Sequence, residues 1–245
     1  MPCQIAEIFS SVQGEGLLVG CRQVFIRLQG CNINCSFCDT PVNETGFCKI
    51  EQHPGQKDFR QLPNPLSAKE VADAVHSYDL SIHHSISLTG GEPLLWTSFI
   101  RELIPFIKGT RHGIYLETNG TLPEALSEVI ELIDIIGMDI KLPSISGLIP
   151  FWEEHRLFLK IAGKKQVFVK VVVGEDTTEE EIEQAAVLIS EYGKGITMII
   201  QPVSPAASGI KSVSPARALY LQQLALKILA NVLIIPQTHK IMGQL

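Results

Sequence analysis

The chain has 245 residues, 45% of them hydrophobic and 19% charged, with a formal net charge of −6. That length buries a sizeable core in one domain, and the acidic balance argues against non-specific nucleic-acid binding, which shows a basic patch or a high pI. The N-terminal MPCQIAEIFSSVQGEG lacks the basic region and apolar core of a signal peptide, and LALKILANVLIIP, the longest apolar run, is broken by Lys227 and Asn231; a cytoplasmic protein without a membrane span is expected.

In chain order, apolar β-branched runs alternate with helical patterns. Strands are expected at 24–29, 84–89, 113–118, 135–141, 166–173, 196–202 and 231–236. Ser67 with Glu70, Thr121 with Glu124 and Thr178 with Glu181 read as capping boxes, and Ser214 before Pro215 as a helix start. Strands apolar nearly throughout are buried on both faces, which implies a mostly parallel sheet, open or closed as a full or partial barrel. Two segments break the rhythm. Residues 43–66 are polar with three prolines and read as a long loop, and residues 144–165 as a helical excursion. With no linker or repeat, residues 1–245 form one domain carrying these two insertions.

Polar motifs follow the strands: GCNINCSFCDT the first, TGGEP the second, ETNG the third, DIKLP the fourth, QPVS the sixth and PQTHK the seventh. In parallel α/β folds ligands bind at the carboxyl ends of strands, so these motifs converge on one face. Cys31, Cys35 and Cys38 fall within eight residues. In a reducing compartment such a cluster points to metal or catalysis. Structural zinc and electron-transfer [4Fe–4S] clusters take four ligands. Three cysteines leave one iron open, and the amino and carboxylate groups of S-adenosylmethionine (SAM) suit that position. Taken alone, the residues also allow a zinc knuckle completed by Cys48 or His53. Cys3, Cys21 and Cys48 read as ordinary free thiols.

C-x3-C-x2-C after one strand and GGEP after the next resemble the radical SAM enzymes. The series EIFSSVQGEG, FIRLQGCN, CDT, TGGEPLL, ETNG, DIKLP and PQTHK resembles, over nearly the full chain, the 7-carboxy-7-deazaguanine synthase family of the queuosine (7-deazapurine) pathway. The resemblance implies a partial, irregular (β/α)6-type barrel, a [4Fe–4S] cluster, SAM and Mg²⁺. It implies a lyase that converts 6-carboxy-5,6,7,8-tetrahydropterin into 7-carboxy-7-deazaguanine, contracting a ring and losing ammonia. A homodimer and a flavodoxin or ferredoxin reductant are expected.

The same resemblance assigns residues. Cys31, Cys35 and Cys38 hold the cluster and Thr40 the Mg²⁺, where charge alone favours Asp39. Arg27 suits the substrate carboxylate through paired hydrogen bonds. Gln13, Gly14 and Glu15 offer backbone and side-chain groups to a flat ring, and Glu117 suits its guanidine-like edge. Val12, Thr89, Gly90, His239 and Leu245 complete the substrate set. For SAM, Phe37, Cys38 and Asp39 face adenosine, Gly91 and Glu92 serve the amino group, Glu92 by pairing with it directly or by orienting the loop, and Asp139, Ile140 and Lys141 face the carboxylate or ribose. Gln201, Pro202, Val203 and Ser204 line the adenine pocket. Lys170 sits at the same rim but reads as solvated. The rival enzyme class is a glycyl-radical-enzyme activase, which QGEG, Arg27 and the PQTHK tail oppose. The rival outside enzymes is an iron–sulfur or zinc binding module, which leaves the later motifs unexplained.

Overall fold

A computed structural model describes residues 1–38, 45–193, 195–204 and 210–245. The strands are β1 (Ile5–Val12), β2 (Arg22–Leu28), β3 (Phe47–Glu51), β4 (Phe59–Pro63), β5 (Ser85–Gly90), β6 (Ile114–Thr118), β7 (Ile135–Ile140), β8 (Gln166–Val173), β9 (Thr197–Pro202) and β10 (Val232–Ile234). The α-helices are α1 (Ala68–Val75), α2 (Thr97–Leu103), α3 (Pro123–Val129), α4 (Pro143–Ser146), α5 (Trp152–Ala162), α6 (Glu179–Ser190), α7 (Pro215–Leu226) and α8 (Thr238–Met242). No described helix is long and apolar enough to cross a membrane.

One sheet has the order β10-β9-β8-β7-β6-β5-β2-β1-β3-β4. From β2 through β10, every neighbouring pair is parallel. These are the seven strands expected from sequence, each with ends within two residues of the expected ones. Helices between successive strands make the crossovers that parallel pairing requires. β10 and β4 remain as free ends of the order, so the barrel is partial. The main core lies between sheet and helices, from Ile5 and Ile8 through Leu88, Leu116 and Val171 to Leu221 on α7. A second, smaller cluster joins Tyr115, Ile135, Phe168 and Ile199 to Leu18, delivered by the loop after β1.

Two expectations change. Residues 43–66 contain the antiparallel pair β3–β4, which extends the sheet beyond β1. Cys48 and Ile50 anchor it in the core while Phe47 and Lys49 stay exposed. Thr121 does not cap α3. The N-cap is Leu122 with no side-chain bond, and Thr121 bonds back to Asn119 instead. The boxes at Ser67 and Thr178 and the cap at Ser214 form as expected. The excursion at 144–165 holds part of α4 and all of α5.

Candidate active site

The carboxyl ends of the parallel strands open into one cavity of about 490 Å³, within the usual size range of a small-molecule site. The loop after β1 and the C-terminal tail cover part of it. Thr238 N–H donates to Gly14 O at 2.9 Å, and Gln237 Nε2 donates to Glu15 Oε1 at 2.6 Å. A side chain at position 14 would displace the tail, because a Cβ on Gly14 would lie 2.2 Å from His239 Nδ1.

The whole expected substrate set lines this cavity. Val12, Gln13, Gly14 and Glu15 come from the first loop, Arg27 from β2, and Thr89 and Gly90 from β5. Glu117 comes from β6, and His239 and Leu245 from the tail. Arg27 Nε donates to Glu7 Oε1 at 2.7 Å, so it is ion-paired, inside the cavity wall. That bond occupies one edge of the guanidinium and leaves its terminal nitrogens without a bond among the described residues.

Lys170 overturns its reading as solvated. It is buried on β8, and its ammonium contacts Glu15, Glu117 Oε1 at 3.4 Å and Asp139 Oδ2 at 3.6 Å. Burial opposes its charge, yet the three carboxylates hold it protonated. Burial likewise pushes Glu15 up, but the Lys170 ammonium and the bonds from Lys170 and Gln237 prevail and hold it at about 2. Glu117 goes the other way. Burial raises it, and the pull of Lys170 is too weak to compensate, with Glu15 adding repulsion. No sequence signal marked Lys170, because its partners lie 53 and 155 residues away.

The other half of the cavity is built around the cysteines. Cys31, Cys35 and Cys38 all face it, whereas Cys48 is buried in the main core and His53 pairs with Asp58. The cysteine loop is braced from three sides. Ser36 N–H and Oγ both donate to Ser146 O, at 2.8 and 3.0 Å. Phe37 packs on Ile145, Val172 and Val203. Gly91 lies against the Gly30 carbonyl, where an added Cβ would sit at 1.9 Å.

The SAM set divides. Phe37, Cys38, Gly91, Asp139, Lys141, Gln201, Val203 and Ser204 line the cavity. Glu92 does not. It is fully buried and accepts from Leu94 N–H (3.0 Å), Asn119 N–H (2.8 Å) and Thr118 Oγ1 (2.8 Å), so it organises the loop. Ile140 turns its side chain into the core, and Pro202 lies outside the lining. Asp39 and Thr40 lie outside the described residues.

Residues 25–200 match the Radical SAM superfamily. A 7-carboxy-7-deazaguanine synthase from Geobacter sulfurreducens is 48% identical over 99% of this chain and 98% of its own length. One from Methanocaldococcus jannaschii is 33% identical over 98% of this chain and 100% of its own. The chain belongs to the 7-carboxy-7-deazaguanine synthase family. Among solved structures, QueE from Escherichia coli has the same fold, with a TM-score of 0.57 at 20% identity, covering 95% of this chain and 93% of that one. Archaeal TYW1 is similar at a TM-score of 0.51 and 14% identity, covering 84% of this chain and 72% of that one.

Membership in this family of radical SAM enzymes implies a [4Fe–4S] cluster and SAM, and the residues present fit both. Three thiols face one cavity with no fourth among the described lining residues. Burial raises the Cys35 thiol to about 11 and also raises Cys31; metal binding is what deprotonates such ligands. Two buried acceptors of lining residues, Asp139 Oδ1 and Gln201 Oε1, have no partner among the described residues. Orphaned buried acceptors suit a donor-rich ligand such as SAM.

Reading by motif also missed the polar frame behind Cys31. Thr121 N–H donates to Asn119 Oδ1, which fixes that amide and turns Nδ2 toward Asn32 Oδ1 (2.9 Å) and Cys31 Sγ (3.9 Å). The signal was present in ETNG, but its partner Asn32 stands 87 residues away.

Proposed function

We propose that this chain forms 7-carboxy-7-deazaguanine from 6-carboxy-5,6,7,8-tetrahydropterin, contracting a ring and releasing ammonia, for 7-deazapurine (queuosine) biosynthesis. One observation carries the reading: a single cavity joins the three-cysteine loop to a wall holding Arg27, Glu15 and Glu117. An anionic carboxylate and a donor-rich heterocycle edge need those two kinds of partner.

Cys31, Cys35 and Cys38 would hold the cluster, with Asp139, Lys141 and Gln201 beside SAM. When bound, cluster and SAM supply hydrogen-abstracting radical chemistry. The chain's own residues bind and orient. Arg27 receives the substrate carboxylate on its terminal nitrogens, with Glu7 fixing the guanidinium from behind. Glu15, held anionic at about 2, accepts ring N–H groups, and Glu117, raised mainly by burial above the ordinary carboxylate value, is the carboxylate of the pair better suited to take or return a proton. His239 lies against Gly14, and it and Leu245 narrow the opening. Positioning of one C–H bond in a site sheltered from water is the protein's main contribution. A Mg²⁺ ion on Thr40, a homodimer and a flavodoxin or ferredoxin reductant belong to the same proposal.

The test is anaerobic reconstitution with reductant, SAM, Mg²⁺ and 6-carboxytetrahydropterin, read by mass spectrometry. 7-Carboxy-7-deazaguanine that vanishes in Cys31→Ala supports the function. Formation of 5′-deoxyadenosine without that product would redirect the search to another substrate. Absence of both from a fully loaded cluster would sink the catalytic reading.

A further inference from the structure

Lys170 is more heavily partnered than burial requires. A buried ammonium needs a counter-charge, and one carboxylate meets that need. Here three converge from three elements: Glu15 from the loop after β1, Glu117 from β6 and Asp139 from β7. The three are not equal. Asp139 is already bonded to Lys141 at 2.7 Å, and Glu117 stands off at 3.4 Å. Glu15 makes the close contact.

Glu15 is also fixed elsewhere. Its Oε1 accepts from Gln237 Nε2 at 2.6 Å, and its N–H donates to Gln13 Oε1 at 3.0 Å. Gln13 is in turn held by a buried chain to Gln23 Oε1 (3.1 Å), whose Nε2 donates to Ser85 Oγ at 2.7 Å. The loop that carries Glu15 is thus located by hydrogen bonds at its base, and the carboxylate by Gln237 and Lys170. We infer that Lys170 is a positioning residue that acts through Glu15: its ammonium fixes the carboxylate in the direction from which the N–H edge of a flat heterocycle can use it. The inference rests on the proposed pterin substrate. Without Lys170, Glu15 loses its one ion-pair partner among the described residues while Glu117 and Asp139 remain nearby, and turns away.

A double-mutant cycle tests this. Wild type, Lys170→Met, Glu15→Gln and the double variant are reconstituted, and equilibrium binding of 6-carboxytetrahydropterin and of SAM is measured in each, with thermal unfolding as a check on folding. Lys170→Met is expected to weaken pterin binding by about ten- to a hundredfold, as for loss of a buried charged partner, and SAM binding by no more than about twofold. In the Glu15→Gln background the same substitution should cost the pterin no more than about twofold, because the group it acts through is already gone. Additive losses, or equal losses for pterin and SAM, would overturn the inference. Should Lys170→Met fail to fold, Glu15→Gln against the double variant still decides, since the double removes one charge of each sign; a large difference there overturns it. Failure of wild type itself to bind the pterin would instead refute the substrate assignment.

Discussion

Two glycines in the site are set by what lies against them. At Gly14 the neighbour is the His239 side chain, with Cβ and Cγ at 2.5 and 2.6 Å from where an alanine Cβ would be. Gly14→Ala therefore pushes the tail off its seat, and KM for the pterin should rise roughly tenfold while iron content and SAM affinity stay at wild-type levels. An unchanged KM would mean that His239 does not contribute. At Gly91 the neighbour is backbone, the Gly30 carbonyl at 1.9 Å, which cannot swing aside. Gly91→Ala should displace Cys31 and lower iron per chain after reconstitution, so the cluster's visible absorbance reports it without any assay of turnover. Both glycines sit in motifs that were legible, because a glycine-rich turn at a strand end announces a close approach. Lys170 was not legible. An isolated lysine in an apolar run carries no mark of the three carboxylates that two other strands and the loop after β1 bring around it.

Secondary-structure elements were legible where burial is symmetric. The seven parallel strands are apolar on both faces, so their runs stand out against the helical pattern, and β7 is buried at every position. β3 and β4 were missed because they are an outlying pair, five residues each, with exposed polar positions and Pro63 closing the second. Helix starts were legible only where the local partner is free to serve. Thr178 finds Glu181 and closes both bonds of its box at 3.2–3.3 Å. Thr121 has the same spacing to Glu124 but is claimed by Asn119 and Asn32 beside the cysteine loop. Thr178→Ala should accordingly cost about 1 kcal/mol and lower Tm by roughly 2–4 °C, with activity intact, whereas a loss of cluster would contradict a purely local role for the cap.

The molecule as a whole places a polar site over an apolar body. The sheet's outer face is sealed by helices, and α5 seals the part beneath the ETNG loop. There it buries His155 completely, with Nε2 against Asn119 O at 3.2 Å and Nδ1 without a partner among the described residues. Burial lowers this imidazole to about 4, against an ordinary value of 6.5. The sign of the consequence is fixed. Between pH 6.5 and about 4 the unfolded chain binds a proton that the folded chain refuses, so unfolding becomes easier as pH falls through that window. Above pH 6.5 the histidine is neutral in both states and its contribution to the slope vanishes. Across the full window one such group is worth on the order of 3 kcal/mol, a large fraction of the stability of a typical domain. Urea unfolding at pH 7.5, 6 and 5 should show the loss, and His155→Gln, which cannot titrate, should show a flatter dependence even if its stability at pH 7.5 is lower. A variant whose stability falls as steeply as wild type would assign the acid sensitivity elsewhere, with His83 and His84, both also lowered by burial, next in line. The Glu15–Lys170 pair is separable from these by pH, because a carboxylate held at about 2 keeps its full stabilisation down to about its ordinary value of 4.5 and loses it only as pH falls from there toward 2.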